Sequence, residues 1–393
     1  MIRLRPDLGE SRNCGETRPA ATSGAGLEHM TSHNPIAVMT TVQPPTRYVR
    51  AMVKALGRHG MKLIVAGDAR GPEAFVCGGS EFLSLAEQRR QFRLGRRLPT
   101  GHYSRKNVAY LAAIAQGAPC IFETDDDNAP LSCWTPRREW AEWVRVVSPS
   151  IAHKGEKEQW VNVYRYFSRE RIWPRGLPLD AVRAAVPRAR RSGSRLVLRA
   201  PIQQGLVNRM PDVDAIWRLV FGHPVEFGQS ASVYLMPGNW CPFNTQNTWW
   251  WPDAYPLLYI PSLCSFRACD IWRSFVAQRC LWELGLGVVH HAPDVAQDRN
   301  PHDIASDLQG EVPVFTQARD FARVLSGVRL RAGVDEVGAN LLRCYEALVA
   351  ASLFPKGELG LVTTWLADLE LARPSTHKEH PMSNKESPIS KYA

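Results

Sequence analysis

The stretch CIFETDDDNAP, at residues 120–130, places three aspartates in a row after a short apolar run. Adjacent carboxylates repel one another, and carboxylate oxygens are ligands that Mg²⁺ and Mn²⁺ prefer. Because alternate side chains of an extended chain point to the same side, Asp125 and Asp127 would share one face. The spacing predicts a divalent-metal site at Asp125 and Asp127 with open positions for phosphate oxygens. A solvated acidic loop after a strand is the alternative.

Apolar periodicity predicts that strands and helices alternate around this triplet. A β-rich run at residues 36–42 is followed by helical spacing over 48–56 and by a second strand at 61–68. The segment SRKNVAYLAAIAQG predicts a helix with Gly117 at its C-terminal cap, and a third strand then runs into the aspartates. This order predicts an α/β fold, a mostly parallel sheet flanked by helices, with ligands bound beyond the carboxyl ends of the strands.

Four regions are predicted along the chain. Residues 1–33 lack hydrophobic periodicity and predict a disordered leader, and the polar residues 374–393 predict a disordered tail. Residues 34–325 would form the α/β domain, with long loops in its Pro- and Trp-rich middle that wall a pocket. Helical spacing within residues 326–373 predicts C-terminal helices packed on that domain.

Charge and cysteine content narrow the class of protein. The net charge of +10 includes clusters such as RRQFRLGRR and PRARRSGSR, which are typical of a solvated basic surface or of attraction to phosphates, an anionic membrane or nucleic acid. No zinc-finger, RNP-like or helix-turn-helix signature supports a nucleic-acid partner. Nine cysteines without a CxxC pair indicate free thiols in a reducing compartment. We expect a cytoplasmic protein, with peripheral attachment at the inner membrane face as an option.

Eight motifs in order resemble those of the STELLO glycosyltransferase family. They are TTVQPPT, LIVAGD, HYSRKNVAYLAAIAQGA, ETDDDN, PDVDAIWRL, PFNTQNT, SFRACDIWRSFVAQRCLWELG and RNPHD, and they fall between about residues 35 and 305. The triplet and PDVDA resemble, more distantly, the reversibly glycosylated polypeptides, which act as UDP-arabinopyranose mutases. The resemblance implies a GT-A fold and a nucleotide-sugar donor, a UDP-sugar above all, with Mn²⁺ or Mg²⁺ bridging Asp125 and Asp127 to its diphosphate.

The resemblance assigns further residues to the donor. Thr40, Thr41 and Asp68 would contact the base and ribose, with Asp126 beside them in the donor site, although the threonines are equally suited to an ordinary strand.

Three polar residues open the helix that precedes the triplet. Arg105 and Lys106 could hold phosphate there, together with backbone N–H groups, or form a solvated face. Asn107 either caps this helix or touches the donor.

Three further aspartates are candidates on the acceptor side. Asp212 and Asp214 alternate in PDVDA and could present two carboxylates to one pocket, Asp212 to bind substrate and Asp214 to act in catalysis, or they could cap a plain loop. Asp270, near the start of an amphipathic helix, occupies the place of the acceptor-activating carboxylate of many GT-A enzymes and could deprotonate a hydroxyl. A helix-dipole carboxylate is the alternative.

Amide and imidazole side chains complete the candidates. Asn244, Gln246 and Asn247 lie beside tryptophans, a usual surface for sugars, or form a buried turn. His302 in RNPHD could supply a third metal ligand, although a lone histidine is more often not a ligand.

Three functions are open at this point. The leading hypothesis is a metal-dependent glycosyltransferase that acts on a glycan or glycolipid acceptor in polysaccharide or glycolipid assembly. A nucleotide-sugar mutase or nucleotidyltransferase on the same scaffold would need the donor and the metal but no sugar acceptor. A catalytically silent partner of other enzymes would keep the fold alone.

Overall fold

The computed structural model describes residues 34–149, 159–191, 197–300 and 303–373. The predicted leader at 1–33, the predicted tail at 374–393 and His302 lie outside the described residues.

The described residues contain fifteen β-strands. Most strands are short, and the longest two lie at the centre of the sheet. They are β1 (Ile36–Thr40), β2 (Lys62–Ala66), β3 (Ser80–Leu83), β4 (Ile121–Thr124), β5 (Asn128–Pro130), β6 (Trp140–Glu142), β7 (Arg145–Val147), β8 (Gln159–Trp160), β9 (Arg190–Arg191), β10 (Val197–Arg199), β11 (Ile202–Arg209), β12 (Val233–Leu235), β13 (Asn239–Trp240), β14 (Asn247–Trp250) and β15 (Val288–Gln297).

Nine α-helices are described, together with short 3₁₀ turns such as Tyr103–Arg105. The α-helices are α1 (Arg47–Gly57), α2 (Leu85–Gln91), α3 (Arg93–Arg97), α4 (Lys106–Ala115), α5 (Ala215–Val220), α6 (Cys269–Trp282), α7 (Ile304–Gly327), α8 (Val337–Ala350) and α9 (Gly357–Ala372).

One large sheet organises the described chain, in the order β3, β2, β1, β4, β14, β11, β15, β12, β7 and β9, with β5 beside β15. Strands β3, β2, β1 and β4 are mutually parallel. Strand β14 is antiparallel to both β4 and β11, and β15 is parallel to β11, so β11 and β15 run in the same direction as β1 to β4. The carboxyl ends of β1, β2, β4, β11 and β15 therefore meet at one edge. The predicted α/β class, a mostly parallel sheet flanked by helices, is confirmed.

Helices cover both faces of this sheet. On one face α1 buries Val49, Met52 and Leu56 against Met39 and Leu63. Thr46 caps α1, since its hydroxyl accepts a hydrogen bond from Val49 N. On the other face α4, α6, α8 and α9 share one apolar core. Removing each large aliphatic side chain from water stabilises the fold by roughly 1.5–3 kcal/mol, and this burial holds the layers together.

Helix α4 ends close to the glycine that the sequence predicts as its cap, although the C-cap itself is Gln116. It ends at Ala115, and Gly117 follows with a left-handed φ of 74° that a residue with a side chain rarely adopts. The chain can therefore turn directly into β4.

The C-terminal helices tie together two segments on the other face. In α9, the buried carboxylate of Glu358 accepts hydrogen bonds from Ser262 N at 3.1 Å and Leu263 N at 2.8 Å. Nearer the end of α9, Asp368 accepts a hydrogen bond from Leu94 N at 2.7 Å. The predicted helices near residues 334–349 and 359–369 are thus observed, while α7 runs continuously through the predicted boundary at 325/326. No described helix has both the length and the apolar character needed to cross a membrane.

A fully buried ion pair joins β4 to α6. The Glu123 carboxylate accepts from Arg273 Nη1 at 3.0 Å and Nη2 at 2.7 Å, and from the Trp250 indole at 2.8 Å. Tyr110 donates a further short hydrogen bond to it. Burial raises the pKa of Glu123, but the Arg273 charge more than offsets this and holds the pKa below its ordinary value. The pair fixes the helix against the strand at a single register.

We predict that Glu123→Gln lowers the free energy of unfolding by about 3–5 kcal/mol, because it leaves the Arg273 charge buried without a partner. Urea unfolding followed by tryptophan fluorescence measures the change. The control, Asp320→Asn, removes an exposed ion pair with Arg323 and should cost less than about 1 kcal/mol. Adding Arg273→Met to Glu123→Gln removes the unpaired charge, so it should restore part of the lost free energy of unfolding. Equal effects of Glu123→Gln and Asp320→Asn would contradict a structural role for the pair.

Candidate functional site

A cleft of about 410 Å³ lies at the shared carboxyl edge of β1, β2, β4, β11 and β15. Nine of the predicted site residues line it: Thr40, Thr41, Asp68, Asp125, Asp126, Asp127, Asp212, Gln246 and Asp270. Because parallel strands end at the same edge, residues distant in sequence converge here. Arg105, Lys106, Asn107, Asp214, Asn244 and Asn247 do not line the cleft.

The aspartate triplet lies in a turn. The expected strand through the aspartates is wrong, because β4 ends at Thr124 and the chain turns before β5. Each carboxylate has its own partner: Asp125 pairs with Lys106 Nζ at 3.0 Å, Asp126 accepts a short hydrogen bond from Thr41, and Asp127 accepts from Gln297 at 2.9 Å. A different hydrogen bond orients each of the three carboxylates. The alternation of side chains along a strand does not position them.

Asp127 is the least satisfied of the three carboxylates. Its Oδ1 is buried and has no hydrogen-bond partner among the described residues. Burial, and then the Asp125 charge, raise the pKa of Asp127 to about 6, against the hydrogen bond from Gln297. Burial raises the pKa of Asp126 as well. A cation in the cleft would relieve the penalty of ionising both carboxylates. Among the described residues, no group of three or more His, Cys, Asp or Glu side chains converges on one ion position.

Lys106 lies beneath the triplet, outside the cleft. Its fully buried ammonium donates to Thr124 O at 2.9 Å, Tyr103 Oη at 2.8 Å and Thr245 O at 3.2 Å, besides Asp125. All the direct contacts of Nζ are therefore protein oxygens. Its side chain is a fixed internal counter-charge, and its position does not expose it to a phosphate.

Arg105 and Asn107 are also structural by position. The buried guanidinium of Arg105 donates to Pro99 O at 3.1 Å, Gly95 O at 2.8 Å and Leu98 O at 3.0 Å, and so fixes the preceding loop. Asn107 exchanges two hydrogen bonds of 2.8 Å with the backbone of Ile260.

Asp68 shapes the rim of the cleft. Its carboxylate accepts hydrogen bonds from Ala69 N at 2.6 Å, Gly101 N at 2.8 Å and His102 N at 3.1 Å. Thr40 lies nearby and donates to Ala66 O at 2.9 Å, which joins β1 to β2. Asp68 thus holds the 101–102 loop over the carboxyl end of β2.

An arginine that the sequence analysis missed holds two of the predicted carboxylates. Arg175 donates to Asp212 at 2.8 and 2.9 Å and to Asp270 at 3.0 and 2.8 Å. Burial favours protonation of Asp212, but Arg175 outweighs it and lowers the pKa of this carboxyl. Arg175 belongs to a loop without periodicity, so its sequence gave no signal of this role.

The structure places Asp214 away from the cleft. It is the N-cap of α5, accepting from Trp217 N at 2.8 Å and from the Trp173 indole at 2.6 Å. Burial raises its pKa to about 6. Of the two explanations left open by the sequence, the helix cap matches these contacts.

The three amides separate in the same way. Gln246 lines the cleft and donates to Gln297 at 2.8 Å. Asn244 accepts from Gln204 at 3.1 Å, and Asn247 donates to Asp294 at 2.7 Å; both are buried behind it.

Other lining residues were not predicted from the sequence. They are cationic or aromatic for the most part: Arg70, His102, Tyr103, Arg175, Phe266, Arg267 and Arg299. Arg267 and Arg299 lie within SFRACD and DRNPHD, so their positions inside the matched motifs were the available signal.

In metal-free buffer, we predict that Asp127→Asn stabilises the fold above pH 6. Because the pKa of Asp127 is raised in the folded state, ionising this carboxyl destabilises the fold. The loss of stability is complete above about pH 6 and absent below the unfolded-state pKa near 4. The gain should approach about 3 kcal/mol at pH 8 and shrink towards pH 4. Thermal unfolding across this pH range, with Asp320→Asn as control, measures it. A gain independent of pH would contradict the assignment.

Comparisons with known proteins agree on one family. The model of the STELLO glycosyltransferases matches residues 267–378. The chain is 30% identical over 268 residues to the probable glycosyltransferase STELLO1 of Arabidopsis thaliana, covering 65% of this chain and 34% of that protein. It is 30% identical over 270 residues to the probable glycosyltransferase STELLO2 of the same plant, covering 66% of this chain and 35% of that protein. The chain spans about a third of the length of these relatives. These similarities support the predicted resemblance to the STELLO glycosyltransferase family.

Proposed function

We propose that the cleft binds a nucleotide-sugar donor, a UDP-sugar above all, and transfers its sugar to a glycan or glycolipid acceptor. One observation carries the proposal: two unsatisfied groups of opposite charge belong to the same cleft. The first is Asp127 Oδ1, and the second is Arg299, whose Nε and Nη1 have no hydrogen-bond partner in the described part of the chain. A metal-bound diphosphate has charges of both signs and would satisfy both groups.

Asp125 and Asp127 would hold the Mn²⁺ or Mg²⁺ ion. When bound, the metal would neutralise charge on the departing nucleoside diphosphate. Lys106 keeps Asp125 in place from below, and Gln297 orients Asp127 through its other oxygen. With at most two carboxylates from the described chain, the donor phosphates would complete the coordination.

The rim near Asp68 is suited to the nucleoside. The loop that Asp68 fixes presents Gly101 and His102 to the cleft, and Arg70 lies beside them. The Tyr103 and Phe266 rings, with centroids 5.8 Å apart and nearly perpendicular, provide aromatic surface on the same side. Aromatic faces and polar rim groups together are typical of sites for bases and sugars.

Asp270 would face the sugar hydroxyls. Arg175 contacts both of its carboxylate oxygens, and each oxygen keeps acceptor capacity for a further hydrogen bond. Asp270 in this position would orient an acceptor hydroxyl and would accept its proton during the reaction.

The cytoplasmic location and attachment to a membrane face stay predictions.

Calorimetric titration of UDP, GDP, ADP and UDP-sugars, with and without Mn²⁺, tests the donor and the metal. We expect one nucleotide family to bind only with Mn²⁺, and the Asp125→Asn, Asp127→Asn double variant to weaken it at least tenfold, about 1.4 kcal/mol. Asp320→Asn, remote and exposed, should bind as the unaltered protein does.

Failure of every nucleotide to bind, or equal binding by the double variant, would overturn the proposal. Analysis of the products formed from the donor that binds then distinguishes transfer to an acceptor from mutase or nucleotidyl chemistry.

A further inference from the structure

A second cavity adjoins the cleft. This side pocket has a volume of about 200 Å³ and shares Arg299 and Asn300 with the cleft. The side pocket is otherwise lined by Ile304 at the start of α7, by residues that follow β11, and by α5 and the turn after it. Met210, Val213, Trp217, Arg218 and His223 are among them. A ligand in the side pocket would therefore lie next to the proposed donor.

Arg218 supplies unsatisfied donors to the side pocket. Its side chain is buried, and its Nη1 donates to Asp307 at 2.7 Å. Its Nε and Nη2 have no hydrogen-bond partner among the described residues, although Nη2 lies 3.5 Å from Glu311 Oε1. Buried donors without acceptors cost free energy, which an anion could recover.

Arg299 adds a second incompletely compensated charge. Its Nη2 donates to Pro211 O at 3.2 Å, while Nε and Nη1 are buried without partners in the described chain. Burial lowers the pKa of Arg299 to about 10; Asp212 opposes this shift, whereas Arg218 reinforces it. Two guanidinium groups thus meet at one cavity, and four of their nitrogen atoms have no hydrogen-bond partner in the described chain.

Apolar side chains also line the side pocket. Met210, Val213, Trp217 and Ile304 are among them, beside the polar His223 and Asn300. Leu219, Val220 and Phe221 lie in sequence between the lining residues Arg218 and Gly222. Their side chains are 66%, 63% and 38% exposed. Large apolar side chains exposed next to a cavity indicate an apolar ligand or surface.

We propose that the side pocket binds the phosphate group of an acceptor whose phosphate carries an apolar chain, a lipid phosphate. This inference rests on the proposed function, because it assigns the acceptor class of the same site. Arg218 would hold the phosphate oxygens through Nε and Nη2, and Arg299 would lie between this phosphate and the donor diphosphate. Trp217 and the exposed Leu219 to Phe221 segment would contact the chain. A small free anion would use Arg218 but would gain nothing from the apolar side chains.

The probes for the test are octyl phosphate, inorganic phosphate and octanol, titrated by calorimetry into the whole protein below the micelle concentration. Octyl phosphate should bind at least tenfold more tightly than either of the others and should not displace the nucleotide. Arg218→Gln should weaken it about tenfold. Because that variant also alters an ion-pair network, His223→Glu is the second variant: it adds a negative charge at an exposed lining position. Thr316→Glu, exposed on α7, makes the same charge change elsewhere.

We expect His223→Glu to weaken octyl phosphate about tenfold and to leave Mn²⁺-dependent nucleotide binding unchanged, with no effect of Thr316→Glu. Displacement of the nucleotide by octyl phosphate, or unchanged octyl phosphate binding in both pocket variants, would overturn the side-pocket assignment. Inorganic phosphate binding as tightly as octyl phosphate would overturn the lipid class. Loss of all nucleotide binding with octyl phosphate binding intact would instead overturn the proposed donor.

Discussion

The buried Glu123 and Arg273 pair sets the geometry of the cleft. Glu123 lies two residues before Asp125 on β4, and Arg273 lies one helical turn after Asp270 on α6. Since residues three apart lie on one helix face, a single guanidinium contact positions Asp270 against the triplet. Both charges are out of water, so a partial separation would leave two uncompensated ions. The distance between the two acidic walls of the cleft is thereby restricted.

Buried ion pairs also hold the carboxylates nearer the solvent, but there the charges are less completely paired. Lys106 satisfies Asp125 from below, and Arg175 satisfies Asp212 and Asp270 from the side. Asp127 Oδ1 and the Nε and Nη1 atoms of Arg299 have no hydrogen-bond partner in the described chain, and both residues line the cleft. A fold that satisfies its deep charges and leaves its cleft charges unsatisfied concentrates binding free energy where a ligand can use it.

Sequence patterns located the edge of the cleft but not its chemistry. Thr41, Asp68 and Asp127 could be placed because apolar runs define where strands end, and parallel strands end together. Lys106 was predicted to hold phosphate because the sequence locates it at the start of a helix. In the structure its long side chain extends under β4 and contacts Thr124 O. Asp214 shows a different limit, since a helix cap and a catalytic carboxylate look alike in sequence. Arg175 belongs to an irregular segment outside the matched motifs, where only tertiary contacts reveal its partners.

Helix α9 lies far along the chain from the aspartates, yet it fixes segments that build the cleft. Glu358 holds the backbone at Ser262 and Leu263, just before the lining residue Phe266, and Asp368 holds Leu94 in the region that Arg105 anchors. Recombinant fragments ending after α7 would remove these acceptors and leave buried N–H groups unpaired. A fragment that keeps these contacts therefore extends to the end of α9.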